Sequence, residues 1–276
     1  MKPPVLAALF LTAMVAGCGT EDRSTGNSLG AKGSAEAALK PVKMKMDERL
    51  APHAETMTPP VDAVRKTADP IPERVWDAFE AATGHRSNFG VTEGRNIVVT
   101  RPVKIVELPF GPALLTEVEI ELGCHGCAGA IGVYYLKQVD GKFRVKRRWP
   151  RAIRGWTWGL PPTEWHLTNR FTSYPAIYAR GGFLAQGIST ATATITELRP
   201  AGPIESDLIG TNYDDEGDPQ TGRQSCRVEG KIANIRKDRS FDLVVSGSVK
   251  TVARYVKRDG RFRTRSRIRW NDPCRD

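Results

Sequence analysis

The most reactive grouping in the chain is Cys124-His125-Gly126-Cys127. Two cysteines separated by two residues can exchange thiol and disulfide when a helix begins at the first of them and lowers its thiol pKa. Here Gly126, Gly129 and Gly132 oppose a helix, and Ile131-Gly132-Val133-Tyr134-Tyr135 runs on as a strand. The expectation is therefore a small structural disulfide closing a loop. Covalent haem attachment needs His directly after the second cysteine, where Ala128 stands, and His125 reads as a loop residue. A four-thiolate zinc site would have to recruit Cys226 and Cys274, which are not a second close pair. No metal or cofactor is expected.

A second grouping is electrostatic. Arg261, Arg263, Arg265, Arg267 and Arg269 alternate with Phe262, Thr264, Ser266, Ile268 and Trp270. Successive side chains on a strand point to opposite faces, so this pattern predicts a strand over 261–270 with an arginine stripe. Lys142, Arg144, Lys146 and Arg148 alternate likewise with Phe143, Val145 and Trp149, although Arg147 interrupts the apolar side. Like charges about 7 Å apart repel by roughly 0.6 kcal/mol in water, so the stripes do not stabilise the fold alone. They suit an anionic partner, because the guanidinium fork matches phosphate and carboxylate. They equally protect an edge strand from pairing with other chains.

Other candidates are weaker. Trp156, Trp158 and Trp165 surround Pro161-Pro162 and could form a ligand shelf, but tryptophan more commonly fills a core. Asp214-Asp215-Glu216-Gly217-Asp218 offers oxygen ligands for calcium without a regular loop spacing, and reads as a solvated turn. No Ser-His-Asp grouping, phosphate-cradling glycine loop or spaced pair of catalytic carboxylates stands out. Of the four histidines, His53 lies in a polar segment, so general bases are few.

The elements that position these residues follow from composition and pattern. Val5 to Gly17 is an apolar run after Met1-Lys2, too short at about thirteen residues to span a bilayer, and reads as a signal peptide over 1–17. Residues 18–70 are rich in Gly, Ser, Thr, Ala, Lys, Glu and Pro without aromatics, which predicts a flexible tether with a reach of roughly 40 Å. A short helix is expected from Pro72 to Thr83, with Gly84 as its stop and Val75, Trp76, Phe79 and Ala82 on one face.

From Asn96 onward short β-rich runs follow one another. They are Ile97–Thr100, Lys104–Leu108, Ala113–Leu122, Gly132–Gln138, Lys142–Trp149, Ala176–Tyr178, Thr192–Leu198, Arg227–Ile232, Asp242–Ser246, Val249–Lys257 and Arg261–Trp270. The expected fold for 71–276 is one mainly β domain, an antiparallel sandwich, barrel or propeller-like sheet with one short N-terminal helix. Asp140-Gly141 and Asp259-Gly260 sit in two similar stretches and predict tight hairpins. Glu107 to Pro112 is echoed by Glu197 to Pro203, so hairpin units look duplicated.

Apart from Cys18 the chain has Cys124, Cys127, Cys226 and Cys274. An even count outside the cytoplasm favours disulfides, with three possible connectivities. Proximity favours Cys124 with Cys127, which leaves Cys226 with Cys274.

Val15-Ala16-Gly17-Cys18 resembles the lipobox of bacterial lipoproteins, with Val where Leu is usual. That resemblance implies cleavage before Cys18, lipid on its thiol, and acylation of its amine. Gly19 in place of Asp implies the outer membrane. The runs Cys124 to Tyr135, Trp158 to Trp165 and Pro175 to Phe183 are similar to those of uncharacterised proteobacterial lipoproteins, a group without a known activity. The chain has a net charge of +10. For an exported protein this favours lipopolysaccharide or acidic glycans over nucleic acid. The expectation is a non-enzymatic, membrane-anchored envelope domain binding anionic material. A periplasmic thiol-disulfide oxidoreductase using Cys124 and Cys127 is the alternative.

Overall fold

In the computed structural model, residues 70–121, 126–156, 158–218, 220, 222–266 and 268–274 are described, and all belong to one compact unit. Cys18 and residues 19–69, where the lipid anchor and most of the tether are expected, lie outside them. The helix α1 (Glu73–Thr83) forms as expected. Gly84 ends it at φ 83°, a left-handed conformation that glycine adopts without a Cβ penalty, and its N–H caps the Glu80 carbonyl. Val75, Ala78, Phe79 and Ala82 form its buried face.

Two antiparallel sheets make up the rest. The first is a meander of β1 (Phe89–Glu93), β2 (Asn96–Leu108), β3 (Gly111–Glu121), β4 (Ala130–Val139) and β5 (Lys142–Arg154), paired in sequence order. The expected runs at 97–100 and 104–108 are one strand here. An irregularity between Pro102 and Lys104 absorbs the residue that cannot donate to a ladder.

The second sheet holds β6 (Glu164–Thr168), β7 (Ala176–Ala185), β8 (Ile188–Arg199), β9 (Gly202–Glu205), β10 (Ile209–Asp215), β11 (Cys226–Arg236), β12 (Ser240–Gly247), β13 (Thr251–Arg258) and β14 (Arg261–Thr264). Its order is β14-β13-β12-β11-β10-β8-β7-β6, with β9 also on β8. The architecture is thus a sandwich joined to a half-barrel, and no propeller blades are present among the described residues.

Both Asp-Gly turns close two-residue hairpins. Asp140 and Gly141 have φ 50° and 74°, and Asp259 and Gly260 have φ 50° and 82°. Positive φ at both central positions matches the right-handed twist of the strands they join. The other echo is structural too, since Leu108 pairs with Gly111 and Arg199 with Gly202, each across two turn residues.

Strand β8 ties the sheets together. Residues 193–198 are buried without a break, which requires apolar material on both faces. Ala193 and Ile195 face a core with Tyr213, Val228, Phe241, Leu243, Tyr255 and Phe262. Leu198, with Ile177 and Ala179 of β7, faces a core with Leu115, Ile131, Val133, Tyr135 and Ile153 of the first sheet. One wall therefore serves a sandwich on one side and a half-barrel on the other.

β9 and β10 occupy successive halves of the same β8 edge, split at Ser206-Asp207-Leu208. The split lets β10 continue to β11 while β9 meets β14, which has travelled round the curl. A seam of individual bonds replaces a ladder there. Asp207 N donates to Phe262 O at 2.9 Å, Thr264 N to the Asp207 carboxylate at 3.1 Å, and the Tyr255 hydroxyl to Leu208 O at 2.7 Å.

Beneath the seam lies a buried charge cluster. Glu197 of β8 is 3% exposed at its side chain and Lys257 of β13 is 9% exposed, with Nζ 3.0 Å from the Glu197 carboxylate. Arg199 pairs with Glu197 at 2.7 Å, and Lys257 also reaches Asp238 at 2.5 Å. Burial alone would raise the Asp238 pKa, but the Lys257 ammonium and the Ser173 hydroxyl outweigh it and hold it below the ordinary carboxylate value.

Replacing Lys257 by Ala leaves Glu197 buried with one cation fewer, and is expected to destabilise the domain by about 3–5 kcal/mol in denaturant titration. The lowered folded pKa of Asp238 gives stability that is full above about pH 4 and lost as pH falls through the folded value. That acid-dependent part should shrink in Lys257→Ala. Equal stability and equal acid dependence in the two proteins would show that the cluster does not clamp the seam.

Candidate functional site

The cationic stretches occupy the free edges of the two sheets, β5 and β14. Lys142, Arg144, Lys146 and Arg148 are exposed on β5, and Arg261 and Arg263 are exposed on β14.

The expected strand over 261–270 ends at Thr264, so the arginine stripe is shorter than the alternation implies. Hydroxyls take the N–H groups that a ladder would need: Ser266 N donates to Thr264 Oγ1 at 3.0 Å and Ile268 N to Ser266 Oγ at 3.2 Å. Arg265 and Arg269 remain exposed on this irregular segment, and Arg267 lies outside the described residues. The segment then crosses the half-barrel. Ile268 and Trp270 pack on its core, with the Trp270 ring flat on Gly210 where a Cβ would sit 1.7 Å from it.

The β5 pattern is also altered. Leu136 pairs with Val145 but Tyr135 pairs with Arg147, so Lys146 is the extra residue of a bulge. A bulge reverses the facing of everything beyond it. Phe143 and Val145 pack under α1, whereas Arg148 pairs with Tyr134 and stands on that same helix-bearing face. Lys142, Arg144 and Arg148 therefore do not share one face, contrary to simple alternation. Arg147, the residue that interrupted the pattern, turns to the inner face and donates to Ala201 O at 2.8 Å.

Both edges converge on β9. At its start Gly202 lies under the Trp149 ring of β5, at φ 141° and with no room for a Cβ. At its end Asp207 bonds β14, and Glu205 senses Arg261. Burial raises the Glu205 pKa, with Thr194 and Arg261 offsetting part of the rise. Four residue steps of extended chain run from Ala201 to Glu205, about 13 Å. Among the described residues Lys142, Arg144, Lys146, Arg148, Arg261 and Arg265 form no ion pair. Arg263 reaches only the exposed Asp259 at 4.0 Å, a contact that contributes little.

The cysteines separate into two places. Cys226 is bonded to Cys274, with Cα atoms 6.2 Å apart, and this bond staples the crossing segment to β11. Cys127 is in a disulfide, while Cys124 and His125 lie outside the described residues. After Cys127 the chain runs extended into β4 without a helix, and Cys127 O accepts from Gly159 N at 3.0 Å. The helix that would activate a thiol is therefore missing from its C-terminal side.

The tryptophans do not make a common shelf. Trp156 lies over Gly181 and donates from Nε1 to Thr192 Oγ1 at 2.8 Å. Trp165 donates to Glu117 at 3.1 Å under the Lys104 ammonium, and Trp158 is exposed on a separate turn. The acidic run is not a solvated turn throughout. Asp214 and Asp215 belong to β10, and Asp215 is buried against Arg223 at 3.2 Å. No protein family, curated protein or solved structure matches this chain, so its site is read from its own geometry.

The Cys226–Cys274 bond closes a loop with a sequence separation of 48 residues. A loop of that size contributes about 4 kcal/mol in the chain-entropy description. Cys226→Ser with Cys274→Ser should lower the denaturation midpoint accordingly and release the Trp270 segment, read as raised proteolysis after Arg269. An unchanged midpoint would show that packing alone holds the segment.

Proposed function

We propose that the protein is an outer-membrane lipoprotein whose β domain binds anionic envelope material, lipopolysaccharide phosphates or an acidic glycan, along the two cationic edges beside β9. The observation that supports this most is the convergence of β5 and β14 on that one short strand. Cations without ion-pair partners repel one another on both edges, and a polyanion laid across β9 relieves both at once. The hairpins bring rigidity, because their two-residue turns leave little freedom at Asp140-Gly141 and Asp259-Gly260. Binding needs no bond making, and the role is non-enzymatic. The anchor is read from Val15-Ala16-Gly17-Cys18, and the outer membrane from Gly19. A lipid-borne protein of this kind meets its ligand at a fixed surface, which raises effective concentration and allows weak individual contacts.

Binding of the full chain to purified lipopolysaccharide should weaken steeply as salt rises, since exposed charges are screened beyond about 8 Å at physiological ionic strength. Arg263→Glu with Arg265→Glu should reduce it at least tenfold while the denaturation midpoint stays unchanged. Salt-independent binding, or full binding by that double variant, would rule out the cationic edges. Localisation is tested separately. Native protein should fractionate with outer membranes and need detergent for release, and Cys18→Ala should remain uncleaved or become soluble. Native protein recovered in the soluble fraction without detergent would remove the anchor from the reading.

A further inference from the structure

Helix α1 covers only part of the outer face of the first sheet. Its apolar side meets Leu114, Tyr134, Leu136 and Phe143. The same face continues past the helix as a second apolar cluster of Val98, Val118 and Ala130, bordered at one side by Pro203 of β9. The sheet instead curls over itself. Glu93 on β1 and Arg151 on β5 belong to opposite edges of the five-stranded sheet, yet they form an ion pair at 2.7 Å. That clasp turns a sheet face into a groove of about 640 Å³. Phe89, Val91, Val98 and Val118 line it, and Val91 stays 49% exposed.

The groove has a charged mouth. Arg148 lies in its wall because the bulge at Lys146 turns it onto this face beside Tyr134. Arg151 is neutralised by Glu93, whereas Arg148 has no ion pair among the described residues. We propose that the groove binds a single acyl chain whose anionic head, phosphate or carboxylate, rests on Arg148. A wholly polar ligand would leave the valine floor wet, and a wholly apolar one would bury nothing against the guanidinium. An anionic amphiphile satisfies both, with each methylene buried tightening binding about fourfold. The site borders the polyanion reading at Arg148, Trp149 and Pro203, but its apolar floor of Val91, Val98 and Val118 plays no part in that reading.

The test uses full-length protein held in phosphatidylcholine vesicles, titrated calorimetrically against empty vesicles as blank. The probes are octyl phosphate, octanoate, octyl phosphocholine and inorganic phosphate. Octyl phosphate is expected to bind at least tenfold more tightly than either inorganic phosphate or octyl phosphocholine. Octanoate tying with octyl phosphate would assign the head to anions generally, and weaker octanoate binding would assign it to phosphate; both support the site. Arg148→Glu should lower octyl phosphate affinity at least tenfold, and Val91→Asp, at an exposed edge position, should lower it comparably. Octyl phosphate binding no better than inorganic phosphate, or binding indifferent to both substitutions in variants with native denaturation midpoints, would overturn the proposal. The reading of β5 and β14 is tested by lipopolysaccharide binding and would fail or stand independently.

Discussion

The ion pair between Glu197 and Lys257 is the contact on which the half-barrel depends. A carboxylate and an ammonium cannot be taken out of water separately, so each must find the other whenever β8 and β13 are in place. These strands are four positions apart in the sheet order and touch only because the sheet curls. The pair thus rewards one curvature over others. Arg199 and Asp238 share the load, and Phe262 lies 5.8 Å below the ammonium as an added face. At the opposite end, closure is covalent through Cys226–Cys274. Without both closures the β9–β14 seam would consist of a few separate hydrogen bonds.

The seam in turn brings the cationic edges together. β14 reaches β9 only because the half-barrel closes, and β5 reaches it only because β8 walls both cores. The positions of the two cationic edges are therefore held by burial elsewhere, against their mutual repulsion. The bulge at Lys146 adds a division of labour. It directs Arg147 toward β9 and Arg148 toward the groove under the curl of β1.

Much of this was legible from residues near each other in sequence. The helix, its glycine stop and both Asp-Gly hairpins follow from local chemistry, the Cys226–Cys274 pair follows by elimination once Cys124 is set with Cys127, and the mainly β class follows from strand spacing. What was not legible depends on distant partners. Thr264 begins an irregular segment because Asp207 and two hydroxyls claim its N–H groups, and alternation of Arg and apolar residues continues regardless. A bulge is silent in a run such as Val145-Lys146-Arg147-Arg148, where one cation stands for another. Glu197 and Lys257 each look like ordinary surface charges, and only the uninterrupted buried run around Glu197 betrays the shared wall. Short strands β1, β6 and β9 carry too few residues to show a period.

The order of the first sheet has a mechanical consequence. Its five strands pair in the order in which the chain makes them, beginning beside α1 at the N-terminal end. Tension entering at Pro70 would peel α1, break the weak, exposed Glu93–Arg151 pair, and then unzip β1, β2 and their neighbours one ladder at a time, each row of bonds breaking in sequence. The half-barrel answers differently. Its ends are fastened across the sheet by a buried ion pair at one and a disulfide at the other, so force must break a buried or covalent fastening before any ladder can slide. A pull through the chain would lengthen the first sheet as a compliant spring while the half-barrel kept its shape.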